Sequence, residues 1–146
     1  LFDWLATKVQ EIILVKGNHD IILDPLAAKR NLQVVDTWQD DTITIIHGHR
    51  IPLHLNSIII IGHEHPCISF KEKPHEKFKC FLLGSYQNKK LIVMPSFTTL
   101  TTGSDVLSTP PLSPFLKDGV QSFECYAVDD KGKPRYFGRI KDIENL

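Results

Sequence analysis

Charge imbalance is the first thing this sequence lacks. Seventeen lysines and arginines offset seventeen aspartates and glutamates among 146 residues, so no net field draws the chain to a polyanion. Residues 131–141 carry Lys131, Lys133, Arg135, Arg139 and Lys141 against few acids; that excess reads as a solvated strand face, with phosphate contact as the alternative. Cysteine is scarce as well. Cys67, Cys80 and Cys125 are odd in number and show no C-x-x-C spacing, which argues against a disulfide framework and fits a reducing compartment. No apolar run approaches a membrane span and no signal-peptide pattern is visible, so the expectation is a soluble cytoplasmic protein with no membrane partner. No repeat or low-complexity linker divides the chain, and 42% hydrophobic with 23% charged residues is ordinary globular composition. One domain over residues 1–146 is expected.

What the sequence does contain is a set of short apolar runs, each ending in glycine and histidine. Residues 59–66 read I-I-I-G-H-E-H-P; a β-branched run bounded by Gly62 predicts a core strand that delivers His63 and His65 at its C-terminal turn. Two imidazoles at i, i+2 can share one rim, and neutral imidazole is a common transition-metal ligand. Residues 11–16 form a nearly continuous apolar run, as for a strand covered on both faces, and end in Gly17-Asn18-His19-Asp20. Those four are also good turn formers, so a plain turn is an equal reading there. Residues 42–47 end in His47-Gly48-His49. Buried histidines each need a partner, so packing explains three such endings poorly. The C-terminal ends of strands are where α/β sheets gather ligands.

Other segments supply the frame. Leu1, Phe2, Leu5 and Val9 recur at helical spacing beside Trp4 and lead into the 11–16 strand, the second half of a βαβ unit. Asp24 and Pro25 predict the N-cap and first position of a short helix over residues 24–30. Residues 33–36 and 42–47 are expected as two strands joined by the polar Gln39-Asp40-Asp41 turn. Residues 77–85 and 90–94 predict a hairpin about Tyr86-Gln87-Asn88-Lys89. Phe78, Cys80 and Leu82 then alternate onto one buried face, making Cys80 a core residue. Residues 96–114, rich in Ser, Thr and Pro, predict a long loop over the sheet, and residues 112–116 a helical turn. Residues 121–128 and 134–140 close the chain as a hairpin about residues 129–132.

Taken as a set, G-N-H-D, H-G-H and G-H-E-H resemble the last three motifs of the calcineurin-like metallophosphoesterases. G-H-E-H-P, with Met94-Pro95-Ser96-Phe97 and Thr102-Gly103-Ser104-Asp105-Val106, is most similar to small prokaryotic phosphoesterases related to the SbcD-type repair nucleases, including the ligase-associated group. The resemblance covers about residues 1–106. It implies an α/β fold, a four-layer α/β/β/α sandwich of two mixed sheets flanked by helices, with the site at strand ends. It also implies two divalent metal ions, manganese first, with iron, zinc or nickel as alternatives. By this resemblance Asn18, His47 and His63 bind one ion, His65 binds the other, and His19 acts on the leaving group. Asp20 would cap or support the site, Glu64 would point away, and His49 would orient the site, meet substrate or be structural. His54 and His75 fall outside the set. The implied reaction is hydrolysis of a phosphate mono- or diester, with nucleotides and nucleic acids among the candidate partners.

The sequence departs from that family in one respect. Members also carry an earlier D-x-H and a G-D motif, whereas none of the seven histidines here has aspartate two positions before it and none of the eight glycines is followed by aspartate. The second ion would then keep only His65 from this chain, and one neutral imidazole holds a divalent ion weakly. The expectation is the C-terminal share of a phosphoesterase domain, lacking two βαβ steps or roughly 60 to 80 residues. Unpaired edges and exposed apolar surface would favour self-association into a homo-oligomer. The alternative is a catalytically silent scaffold of the same fold. A structural zinc site would need a closed four-ligand set, which the open surroundings of His65 oppose.

Overall fold

The computed structural model describes residues 1–143. The short helices α1 (Phe2–Leu5) and α2 (Leu23–Ala28) bracket strand β1 (Ile13–Val15), and β2 (Gln33–Val35) follows. Strands β3 (Thr37–Gln39), β4 (Ile43–Ile46), β5 (Ile58–Ile61), β6 (Pro66–Phe70), β7 (Lys73–Tyr86) and β8 (Lys89–Val93) run next. The chain then passes through β9 (Ser104–Asp105), a 3-10 turn (Pro114–Leu116), β10 (Glu124–Val128), β11 (Pro134–Arg139) and α3 (Ile140–Ile143). This is a mixed α/β fold of two sheets with few, short helices. One sheet is the parallel pair β1-β2; the other runs β11-β10-β7-β8-β5-β4-β3, with β6 attached to β7 and β9 to β6. The single-domain expectation extends to residues 144–146, which lie outside the described residues.

Isoleucine alternation sets the centre. In β4 and β5, Thr44, Ile46, Ile59 and Ile61 are buried while Ile43, Ile45, Ile58 and Ile60 are half-buried, the period of two that a pleated strand imposes. Ile59, Leu82, Leu91, Cys125 and Ile140 pack with Phe115, Leu116 and Phe123 into one core. Burying these side chains is the main favourable term for the fold, at about 1.5–3 kcal/mol for a fully buried Ile, Leu or Phe. The buried hydroxyl of Thr44 is served by the amide of Asn56 at 2.9 Å and by Nε2 of Gln39 at 3.1 Å. Strand β7 spans 14 residues and works in two halves: its first half pairs with β6, its second with β8 and β10. The β7-β8 hairpin closes at Gln87 and Asn88 with φ of 49° and 61°, left-handed angles that suit the twist of a two-residue hairpin.

Several expectations need correction. The turn at Gln39-Asp40-Asp41 forms, because the Asp40 carboxylate accepts from the amides of Thr42 at 2.7 Å and Ile43 at 2.6 Å, which also lowers its pKa. Its first strand, however, is β3 and not residues 33–36. The chain bends at Asp36, and β2 leaves to pair in parallel with β1. Asp24 is not an N-cap: α2 begins at Leu23, Ile22 holds the cap position, and the Asp24 carboxylate is drawn away to the ammonium of Lys16. The 96–114 loop contains β9, which pairs with β6 in parallel. The closing strand begins at Glu124, not residue 121, because Phe123 turns to donate its amide to Val120. Of the helically spaced set, Leu1 and Val9 stand exposed, as do the adjacent Trp4 and, further on, Ile21 and Ile22. Among the described residues no helix is long and apolar enough to cross a membrane.

Cys67, Cys80 and Cys125 are buried and unbridged. A hydrogen bond to Cys125 and burial hold the Cys80 thiol far above the ordinary range, so it belongs to the core and not to the chemistry. In native protein Ellman's reagent should find no rapidly reacting thiol, and in denaturant all three should appear. One fast native thiol would contradict this packing.

Candidate metal centre

Parallel pairing places the histidines. Ile46 stands opposite Ile61, so β4 and β5 end together. Just beyond them the His47 carbonyl oxygen accepts from the amides of both Gly62 at 3.0 Å and His63 at 2.7 Å. His47 and His63 therefore emerge side by side, their rings 4.9 Å apart and edge-on. Gly48 follows with φ of 103°, and a Cβ there would lie 2.8 Å from the Cβ of Ile61, so only glycine fits this exit.

The turn after β1 brings the third component. The Gly17 amide donates to Oδ2 of Asp20 at 2.7 Å, closing the turn and presenting Asn18 and His19 outward. Oδ1 of Asn18 lies 3.0 Å from Nε2 of His47, and Nδ1 of His63 lies 3.1 Å from the same nitrogen. If His47 Nε2 is protonated, its one N–H faces both neighbours; if it is not, it can accept from a protonated His63 Nδ1 but still meets the Asn18 oxygen lone pair to lone pair. The trio holds more electron pairs than protons.

Those distances suit a cation. Two bonds of about 2.1 Å at a right angle place their donor atoms about 3.0 Å apart. Burial and the neighbouring His63 and His49 push the His47 pKa down to about 4, and burial with His49 and His65 lowers that of His63. Both rings are thus biased toward the neutral form that ligates. Among the described residues no three His, Cys, Asp or Glu side chains form a metal-binding group. The set closes only with the amide oxygen of Asn18. Two nitrogens and one oxygen form a donor set that divalent transition ions accept.

A cavity of about 470 Å³ opens beside the trio, lined by Gly17, His19, Asp20, His47, His63, His65 and Leu112. His65 has φ of 50°, a left-handed angle that costs a non-glycine residue about 1–3 kcal/mol and persists where neighbours impose it. Here the imposing contacts are its amide on the Gly62 carbonyl at 3.3 Å and the Ser104 amide on its own carbonyl at 3.0 Å. Gly103 lies so close that a Cβ would fall 2.1 Å from that carbonyl oxygen. The His49 ring centroid lies 5.4 Å from that of His47 and 6.1 Å from that of His63, with Nδ1 buried and unpartnered. It sits beside the trio without lining the cavity. Glu64 points away from the rim, as expected, and its carboxylate instead meets the amides of Leu112 and Ser113. His54 and His75 are exposed and away from the cavity wall. Leu112 and Ser113 were expected only in a loop and helical turn, since nothing local ties a Ser- and Pro-rich loop to a turn 48 positions earlier.

No protein-family model matches the chain, and no curated protein does. Among solved structures the fold is similar to the crystal structure of Pseudomonas putida nuclease MPE, with TM-score 0.62 and 20% sequence identity. The match covers 92% of this chain and 58% of that one, so the chain spans under two thirds of the length of that nuclease. The likeness shows a shared fold.

The depressed His47 pKa sets a pH dependence. Its folded value lies below the ordinary 6.5, so the stability linked to it is fully present above about 6.5 and is lost as pH falls toward about 4. An NMR titration of the metal-free chain should find a His47 midpoint near 4; a midpoint at or above 6.5 would contradict the packing of this ring.

Proposed function

We propose that this chain serves the metal-dependent hydrolysis of phosphate esters, foremost phosphodiesters of nucleotides or nucleic acids. The observation that carries the reading is the convergence of Asn18 Oδ1, His47 Nε2 and His63 Nδ1 within 3.0 and 3.1 Å beside an open cavity. The architecture shared with a nuclease agrees with it. The finer placement among small prokaryotic, SbcD-related phosphoesterases rests on G-H-E-H-P, M-P-S-F and T-G-S-D-V alone.

In this reading Asn18, His47 and His63 hold one divalent ion, manganese first, with iron, zinc and nickel suited to the same donors. An ion held there would supply charge neutralisation at the phosphate and a more acidic bound water. His19, on the cavity wall, donates a proton to the departing oxygen. Asp20 keeps the Gly17 turn closed and so fixes where Asn18 and His19 point. His65 supplies one nitrogen toward a second ion. Beside it the cavity wall offers one carboxylate, Asp20, whose Oδ2 already accepts from the Gly17 amide, so the second position has fewer donors than the first. That incomplete second position is what favours the other reading, a silent scaffold that binds metal without turnover.

Titration calorimetry with manganese or cobalt should show one ion per chain, weakened at least about tenfold by His47→Ala or Asn18→Ala. With metal bound, bis(p-nitrophenyl) phosphate should be hydrolysed, and His19→Ala should lower kcat roughly 100- to 10,000-fold without changing metal affinity. Binding that ignores His47→Ala overturns the metal site; binding without hydrolysis selects the scaffold.

A further inference from the structure

Glu64 is a buried acid that the proposed chemistry does not use. It is 2% exposed and sits in the turn that the His65 amide closes on the Gly62 carbonyl at 3.3 Å, with its carboxylate on the amides of residues 112 and 113. A carboxylate in that position is costly unless hydrogen-bonded, and an apolar side chain would fill the space at less cost. Its Oε2 accepts two amide N–H groups, from Leu112 and from Ser113, each at 2.9 Å. Ser113, itself 1% exposed, donates its hydroxyl to the Gly48 carbonyl at 2.7 Å.

These bonds form a closed circuit. Glu64 ties the His63/His65 turn to Ser113, Ser113 ties the loop to the His47/His49 turn at Gly48, and the His47 carbonyl returns to Gly62 and His63. Both histidine-bearing turns are thereby fixed from behind by the same loop. The circuit also sets Leu112, 61% exposed, at the lip of the cavity. We infer that Glu64 is a positioning residue: its carboxylate, through Leu112 and Ser113, fixes the spacing of His47 and His63 and holds the apolar lip over the site. The inference rests on the metal-site reading for its purpose, but not for its test.

Both amides use the same oxygen, so Glu64→Gln, which keeps one carbonyl oxygen, should preserve the circuit, whereas Glu64→Ala removes it. The readouts, on the whole chain without metal, are hydrogen exchange at Leu112 and Ser113 and the imidazole resonances of His47 and His63. Alanine should abolish the protection and move both rings; glutamine should restore both. Cobalt affinity should fall about 10- to 100-fold with alanine and stay within about twofold with glutamine. If the core methyl resonances of Glu64→Ala show it unfolded, Ser113→Ala carries the same readout through the Gly48 link alone and should move the His47 ring. Rings unmoved in a folded Glu64→Ala, or in Ser113→Ala where alanine at 64 unfolds the chain, would overturn the inference and leave Glu64 as a loop anchor. A wild-type chain that takes no cobalt would instead overturn the metal reading, while the ring resonances still decide the role of Glu64.

Discussion

The His47 carbonyl oxygen, accepting from both Gly62 and His63, is the contact on which the candidate site depends. It exists because β4 and β5 run parallel with Ile46 opposite Ile61, so that two apolar runs stop at the same height. A slip of one residue in that register would turn the buried Ile59 and Ile61 outward and carry His63 to the other face. The isoleucines therefore do two things at once. Their burial supplies stability, and their register supplies the placement of two imidazoles.

That placement has a cost that the surroundings offset. Burial first, and then the neighbouring His63 with its nitrogen 3.1 Å away, disfavour a charged His47 and hold its pKa near 4. His65 adds backbone strain, held by the Ser104 amide and by a glycine whose missing Cβ leaves room for its carbonyl. Neutral, convergent, electron-rich atoms beside strained backbone are a poor arrangement for stability alone. They suit a cation.

Much of this was legible because the signals are local. An apolar run followed by glycine and histidine announces a strand end wherever it occurs, and three of them announced the three turns that meet here. The β7-β8 hairpin and the core position of Cys80 were legible for the same reason. What the sequence hid depends on partners distant along the chain. Nothing within residues 33–35 says whether they pair with β4 or β1, and the Asp40 turn dictates only the strand nearest it. The two residues of β9 have no pattern of their own and are strand only because β6 is beside them. Glu64 read correctly as facing away from the cavity that His63 and His65 line, but its amide partners could not be read from a residue in isolation.

Anomalous diffraction from crystals of the cobalt-loaded chain tests the central claim most directly. The account predicts one strong peak about 2.1 Å from Asn18 Oδ1, His47 Nε2 and His63 Nδ1. A cobalt ion seated elsewhere, or one whose ligands omit both His47 and His63, would contradict it.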